Sequence, residues 1–395
     1  MLFAALTIVH KNFLQQFRVF VTRKLLAGIA LLFFIPLFSG LWSSDSDEWL
    51  YVIRIKLPLF ILPLAFAGRW KLTKKQWQII AYTFLIVLLL GTCWSMMRYL
   101  ENVTVVNDSY LQAKSIATPL ENDHVRFSWL VNTGIILCGL MIYKSYSKKV
   151  ETKPDSYLVQ IPQNTRHFPL IIHYLLITWF IIYLHILSAR TGLLSFYISI
   201  LLLGGWWIYK KRNFRKALIV IAVASVLPFL AWQILPTFQN RVQYILYELP
   251  YLKNSGYLAG GNDASRMLSL QAGWNVLQEH PLGVGAGDVY VETDKQYEKM
   301  YPGMKGTDRL YPSSEWLIYG GTAGWAGVVA FMVIMLIPFF KLPAHHKFFW
   351  LCLNATAAFS FMFDIGLEVQ FGVFIYAFIV LWWWKWLTQT RLHEK

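Results

Sequence analysis

A set of basic side chains lies at or near the ends of strongly apolar segments, where they could bind an anion together. Arg190 opens one segment in "SARTGLL", Arg266 leads "SRMLSLQAGWNVLQEH", and His124 and Arg126 lie in "DHVRFSW". Arg54 lies within a further segment, "VIRIKLPLF". A guanidinium group matches two phosphate oxygens at once, so the set predicts a phosphate or diphosphate site at headgroup depth. The alternative for each residue is snorkelling to lipid headgroups or pairing with a loop carboxylate.

A second group of polar residues could act on hydroxyl groups. Glu315, in "YPSSEWL", could accept a proton from an acceptor hydroxyl, whereas Ser313 or Ser314 is expected to cap the helix that follows. Asp288 ends the glycine-rich stretch "PLGVGAGD" and could orient a sugar hydroxyl or an arginine, or form a local Asx turn. With no preceding βαβ unit, that stretch is expected to be a tight turn against the membrane surface rather than a phosphate loop. No metal-binding or nucleotide-binding motif occurs in a usable context.

The elements that carry these residues are predicted to be membrane-spanning helices. The 395 residues are 56% hydrophobic and 17% aromatic, with a mean hydropathy of +0.45. Many apolar runs reach the length of about 18 residues that indicates a transmembrane helix. The expected fold is therefore an all-α polytopic membrane protein. Ten spans are predicted, at 25–42, 49–67, 78–98, 125–143, 168–187, 192–208, 217–235, 315–340, 349–367 and 369–387.

The distribution of charge predicts the orientation of the spans. Lys and Arg dominate alternate connections, such as "GRWKLTKK" and "YKKRNFRK", whereas acidic residues match or outnumber them in the others. Basic connections remain in the cytoplasm, so both termini are expected to be cytoplasmic and residues 236–312 external. The net charge of +15 therefore reflects topology, and nucleic acid is not expected as a partner. Arg190 lies on the external side, against this bias.

The chain is expected to form one integral membrane domain with three segments. Residues 1–235 and 313–395 are predicted to hold the spans, and residues 236–312 a large external loop with amphipathic helices. The first 24 residues are interpreted as an interfacial helix or a poor first span. A loop this long usually has a function.

The motifs together resemble those of the O-antigen ligase and polymerase superfamily. "SARTGLL" and "SRMLSLQAGWNVLQEHPLGVGAGD" are similar to its two arginine-bearing signatures, and "DHVRFSWL" and "RIKLP" to its amino-terminal half. The resemblance implies a GT-C-like fold of about 10–12 transmembrane helices and a metal-independent glycosyltransferase without a cofactor. It implies an undecaprenyl-diphosphate-linked glycan as donor, lipid A–core or another glycan as acceptor, and membrane lipids as surroundings. The location implied is the bacterial inner membrane, with a periplasmic active site.

The resemblance also assigns roles to individual residues. Arg190 and Arg266 are expected to grip the donor diphosphate, and His124 and Arg126 to line the same site. Arg54 is likewise expected to bind substrate.

The chain departs from the family pattern at the head of the span that follows the large loop. The family usually has His-Asn there, but this chain has Ser313 and Ser314. Glu315 or His280 is therefore expected to replace the histidine as proton acceptor. Ser313 and Ser314 remain candidates for substrate binding.

Other functions remain open from the sequence. A polymerase would use the same site with another acceptor, and an oligosaccharyltransferase would modify proteins. A transporter of lipid-linked glycans is the rival from a different class, although the spans carry almost no carboxylate at mid-membrane depth for ion coupling. A non-catalytic assembly factor would leave the external arginines unexplained.

Overall fold

The structure is a computed structural model that describes residue 7 and residues 13–151, 168–253, 256–340 and 346–390. Within these residues every regular element is a helix, which confirms the predicted all-α class. The α-helices are α1 (Phe13–Thr22), α2 (Lys24–Ser39), α3 (Ser46–Lys56), α4 (Pro58–Phe66), α5 (Lys74–Glu101), α6 (Val103–Ser109), α7 (His124–Glu151), α8 (Phe168–Leu187), α9 (Arg190–Lys211), α10 (Phe214–Ile234), α11 (Pro236–Lys253), α12 (Asp263–Glu279), α13 (Val289–Met300), α14 (Glu315–Phe340), α15 (Lys347–Ser360) and α16 (Gln370–Thr390).

The helices confirm a multi-pass membrane protein but give fewer spans than the sequence predicted. Among the described residues, 8 helices are long and apolar enough to cross a membrane, or up to 9 if a bent pair is one span. The predicted span 349–367 differs most, because α15 has 14 residues and residues 361–369 are mainly turns and irregular chain. A helix of that length rises about 21 Å, which is short of the roughly 30 Å of hydrocarbon.

The bent pair lies at the amino-terminal end of the described chain. Helices α1 and α2 meet at 88°. Phe13, Leu14, Phe17 and Val21 are exposed on α1, which is typical of a helix lying along a membrane surface. This agrees with the interfacial interpretation, although most of residues 1–12 lie outside the described chain.

The chain forms two compact units. The first contains residues 1–71, 244–345 and 357–395, and the second contains residues 72–243 and 346–356. In the first unit α2 packs against α4 and α14, α16 packs against α4, and α12 packs against α13 and α14. In the second unit α7 packs against α8 and α9, and α9 packs against α10. The predicted segments 1–235, 236–312 and 313–395 follow the linear chain, whereas each unit joins distant stretches of it.

The long connection before α14 is largely helical. Helices α12 and α13 share a small core of Leu268, Ala272, Tyr297 and Met304. The burial of these apolar side chains, in a segment rich in charged residues, gives the connection a fixed structure above α14.

Helix α14 is broken near its first third, and the glycine-rich turn packs into the break. Gly324 has φ +62°, and a Cβ atom there would lie 2.0 Å from the carbonyl oxygen of Pro281. The N–H of Val284 donates to the carbonyl of Gly321 (2.7 Å), and that of Trp325 donates to the carbonyl of Pro281 (3.1 Å). The turn therefore satisfies backbone groups that the break exposes.

Candidate functional site

Glu315, the first residue of α14, is a fully buried carboxylate in the first unit. Its backbone N–H donates to the carbonyl of Phe361 (3.0 Å), and its Oε1 accepts from the N–H of Leu367. No group in the described chain hydrogen-bonds to its buried Oε2. A buried polar atom without a partner is costly, and such an atom in a native structure calls for an explanation such as a bound water, an ion or a catalytic role. Glu315 therefore has one oxygen fixed by a backbone donor and one without a partner in the described chain.

A buried ion pair supports the loop that holds Glu315. The Lys56 ammonium donates to Glu368 and to the carbonyl of Leu367 (3.1 Å), and lies 4.9 Å from the centre of the Tyr319 ring. The side chains of Lys56 and Glu368 are only 2% and 9% exposed. Because Leu367 bonds both groups, the ion pair and Glu315 share one backbone segment. Arg54, two residues before Lys56, is exposed and lies outside this network.

An aromatic pair lies beside the carboxylates. The rings of Tyr311 and Tyr290 stack with centroids 6.2 Å apart and an interplanar angle of 8°. Burial raises the pKa of the Tyr311 phenol well above its usual value, and the carboxylates of Glu368, Glu48 and Glu315 raise it further. The phenol therefore remains protonated and can donate a hydrogen bond.

Arg266 and Ser313 connect to the same region. The Arg266 guanidinium donates to the carbonyl of Phe363 (3.3 Å). The hydroxyls of Ser269 and Ser313 are 2.8 Å apart, and the Ser269 hydroxyl also contacts the carbonyl of Arg266 (2.7 Å). Residues 361–367 thus touch both Arg266 and Glu315, so two of the predicted catalytic residues share one loop.

Ser314 is buried at the start of α14. Its carbonyl accepts from the N–H groups of Leu317 and Ile318 (3.1 Å each), as the residue preceding a helix does. Ser314 is therefore one of the two serines that the sequence placed just before this helix.

Two other predicted site residues of the first unit have structural partners. The Nε2 of His280 is 3.6 Å from the Oε2 of Glu292. The carboxylate of Asp288 accepts from the N–H groups of Ser44 (2.6 Å) and Asp45 (3.1 Å). Asp288 therefore joins the glycine-rich turn to the segment before α3, rather than forming a local Asx turn.

The second unit brings the starts of two helices side by side. Helix α7 begins at His124 and α9 begins at Arg190. Gly192 allows the contact, because a Cβ atom there would lie 2.2 Å from the Cβ of Ser128. The first turns of both helices are therefore adjacent.

Arg126 lies in the first turn of α7 and is held by Asp123. The Arg126 guanidinium donates to Oδ2 of Asp123 (2.6 Å), and the Arg126 backbone N–H donates to Oδ1 of the same carboxylate (2.9 Å). Arg190 begins α9, so the two arginines lie in the first turns of adjacent helices, whose N-termini carry partial positive charge. This arrangement suits an anion.

The sequence suggested that Tyr311 could stack on a sugar ring, but sequence reasoning missed Glu368 and the stacking of Tyr311 on Tyr290. A signal was present, because Lys56 within an apolar run requires a buried partner of opposite charge. The acidic "DIGLE" segment is the source of that partner, but no spacing rule connects residues more than three hundred positions apart.

One family model matches part of the chain. Residues 174–332 match the family described as O-antigen ligase. The match includes Arg190, Arg266 and Glu315 and confirms the resemblance to the O-antigen ligase superfamily. It supports a glycosyltransferase-like enzyme of ligase or polymerase type, acting on lipid-linked glycan and a glycan acceptor. No curated protein matches the chain.

Proposed function

We propose that this chain, which resembles the O-antigen ligases, transfers a glycan from undecaprenyl diphosphate to a lipid A–core acceptor. The reaction inverts the anomeric centre, needs no metal, and takes place on the periplasmic face of the bacterial inner membrane. The family match supports the reaction class, and the basic bias of alternate connections supports the orientation, with both termini in the cytoplasm.

The observation that carries the proposal is the free oxygen of the buried Glu315 carboxylate. In the proposed step, the acceptor hydroxyl oxygen forms a bond to the anomeric carbon and loses its proton to Oε2 of Glu315. The bond between the anomeric carbon and the phosphate oxygen breaks, and undecaprenyl diphosphate leaves with the electron pair. A general base in hydrogen-bond reach contributes about 100- to 10,000-fold to such a reaction.

Guanidinium groups are assigned to the leaving diphosphate. Arg126 lies in the first turn of α7 and Arg190 begins the adjacent helix α9 in the second unit, where the helix N-termini add to their positive charge. His124 is assigned to the same group. Arg266, in the first unit, is assigned to the donor as well. Charge that develops on the leaving oxygens is stabilised more strongly by fixed donors than by mobile water.

Glu315→Gln tests the assignment of the base. The variant keeps the shape of the side chain and an acceptor for the Leu367 N–H, but removes a basic oxygen. Transfer by the purified protein, with undecaprenyl-diphosphate-linked glycan as donor and lipid A–core as acceptor, is expected to fall at least about 100-fold. The control is Glu279→Gln, because Glu279 is exposed and bonds Lys299 and Gln296. Activity of Glu315→Gln within threefold of wild type would refute the role.

Arg190→Ala and Arg266→Ala test the donor site. Loss of one such stabilising contact costs about 3–4 kcal/mol, or about 100- to 1,000-fold in rate. The exposed Arg98, which pairs with Glu101 on the surface, provides the control Arg98→Ala. Near-normal transfer by both variants would refute the donor assignment. Transfer that stops when EDTA is added and resumes with a divalent cation would refute the metal-independent reaction.

A deletion strain separates the ligase from the polymerase. Loss of polysaccharide from lipopolysaccharide, with the lipid-linked polymer intact, is the result expected for a ligase. Loss of the polymer itself would assign the chain to polymerisation with the same site residues. A deletion strain that lacks the glycan only on its proteins would indicate an oligosaccharyltransferase.

A further inference from the structure

We propose that the stacked rings of Tyr290 and Tyr311 form a binding platform for an uncharged sugar ring of the acceptor. This inference rests on the proposed function, because it supplies the surface from which an acceptor hydroxyl reaches Glu315. The sugar ring would lie on Tyr290, and the Tyr311 phenol would hydrogen-bond to it.

The geometry of the two rings suits a sugar. They are parallel to within 8°, so Tyr311 fixes the plane of Tyr290. Tyr290 is 45% exposed despite its position in the first turn of α13, where neighbouring Val289 is buried. A tyrosine presents a large and rigid surface at little entropic cost, and its hydroxyl adds a hydrogen bond.

The platform leads to the proposed base. Tyr311 lies in the loop that opens α14, four residues before Glu315, and its ring stacks on the exposed ring of Tyr290. The carboxylates of Glu368, Glu48 and Glu315 add to the rise in the pKa of its phenol. The independent sign of a ligand is the fully buried Oε2 of Glu315, which no group in the described chain hydrogen-bonds. An acceptor hydroxyl would supply that bond.

The charges around the platform indicate the class of sugar. Glu48, Glu315 and Glu368 contribute carboxylates, and Lys56 contributes an ammonium that is already bonded to Glu368. Glu48 and Glu368 also interact electrostatically with each other. A uronic acid or a phosphorylated sugar would add negative charge beside these groups, where like charges repel. A neutral pyranose avoids this repulsion.

Saturation-transfer NMR on the full-length protein in nanodiscs can measure binding of two probes that differ in one group. Methyl β-D-glucopyranoside is the neutral probe, and methyl β-D-glucopyranosiduronic acid is the anionic one. We expect the neutral probe to bind at least about tenfold more tightly. Tyr290→Ala should weaken its binding about tenfold, whereas Tyr290→Phe should bind within twofold of wild type. Tyr247→Ala is the matched control, because Tyr247 is an exposed tyrosine of the same unit.

Removal of one carboxylate tests whether charge repulsion explains the preference for the neutral probe. Glu48→Gln should narrow the difference between the probes by at least threefold, because it removes one repelling carboxylate. Equal binding of the two probes to wild type would overturn the assignment to an uncharged sugar. Binding that Tyr290→Ala leaves unchanged, or no binding of the neutral probe, would overturn the platform.

Failure of the tyrosine platform can be distinguished from failure of Glu315 as the base. If Glu315→Gln retains transfer activity while Tyr290→Ala loses the neutral probe, the base is refuted and the platform remains. If Glu315→Gln abolishes transfer and Tyr290→Ala changes neither probe binding nor the acceptor KM, the platform is refuted and the base remains.

Discussion

Replacement of Lys56 by methionine is expected to destabilise the protein more than any exposed lysine replacement. The change leaves the Glu368 carboxylate buried without its ammonium partner, and it removes the bond to the carbonyl of Leu367 (3.1 Å). Removal of one partner from a buried ion pair costs about 3–5 kcal/mol. We therefore expect the free energy of unfolding to fall by about 3–5 kcal/mol. Tryptophan fluorescence during unfolding in mixed micelles measures it.

A double-mutant cycle isolates the pair. Glu368→Gln in the Lys56→Met background removes the unpaired charge, so the double variant is expected to be more stable than Lys56→Met alone. Lys295→Met is the control, because the ammonium of Lys295 bonds Glu292 on the surface, where such pairs contribute little. A loss below about 1 kcal/mol for Lys56→Met, or strictly additive single changes, would refute the reasoning.

The Lys56→Met variant also tests whether the ion pair helps to position Glu315, the proposed base. Leu367 accepts from Lys56 and donates to Glu315, so loss of the ammonium should disturb the orientation of Glu315. Transfer activity of the folded fraction is expected to fall at least about tenfold, or about 1.4 kcal/mol in the barrier. Unchanged activity of a folded Lys56→Met protein would show that the pair acts on stability alone.

Three further substitutions test the packing around the sites. Gly324→Ala should lower the free energy of unfolding by at least about 2 kcal/mol, because of the positive φ and the overlap with a backbone carbonyl, whereas Gly303→Ala, in open space, should have little effect. Gly192→Ala should cost about 1–3 kcal/mol and lower transfer, whereas Gly205→Ala in the same helix should not destabilise. Asp288→Ala should cost about 2 kcal/mol in unfolding free energy, because two backbone N–H groups lose a charged acceptor.

The fold class could be predicted because apolar length is a local property of the sequence. Helices α8, α9, α10 and α14 begin and end within a few residues of the predicted spans. Residues 349–367 show where this reasoning fails. They are apolar enough for a span, but α15 ends at Ser360 and the chain then turns to contact Glu315. Hydropathy measures the tendency to leave water and does not distinguish lipid from a protein interior.

The site could be predicted only in part. Arg190 and Glu315 could be named as candidate site residues from the sequence, because each is a charge at the edge of an apolar run. The function of Asp288 in the turn was not, because its partners, Ser44 and Asp45, lie more than two hundred residues away. The stacking of Tyr290 on Tyr311 was hidden as well, because its rings come from two different elements, α13 and the loop before α14.

The support of Glu315 explains how a carboxylate can occupy a position next to the one where the family usually has histidine. The groups that fix this carboxylate come from residues outside the matched range 174–332. The Leu367 N–H donates to Oε1 of Glu315, and the ammonium of Lys56 donates to the carbonyl of the same Leu367. The proposed base therefore depends on α3 and on the loop before α16. It cannot be transferred to another chain by copying α14 alone.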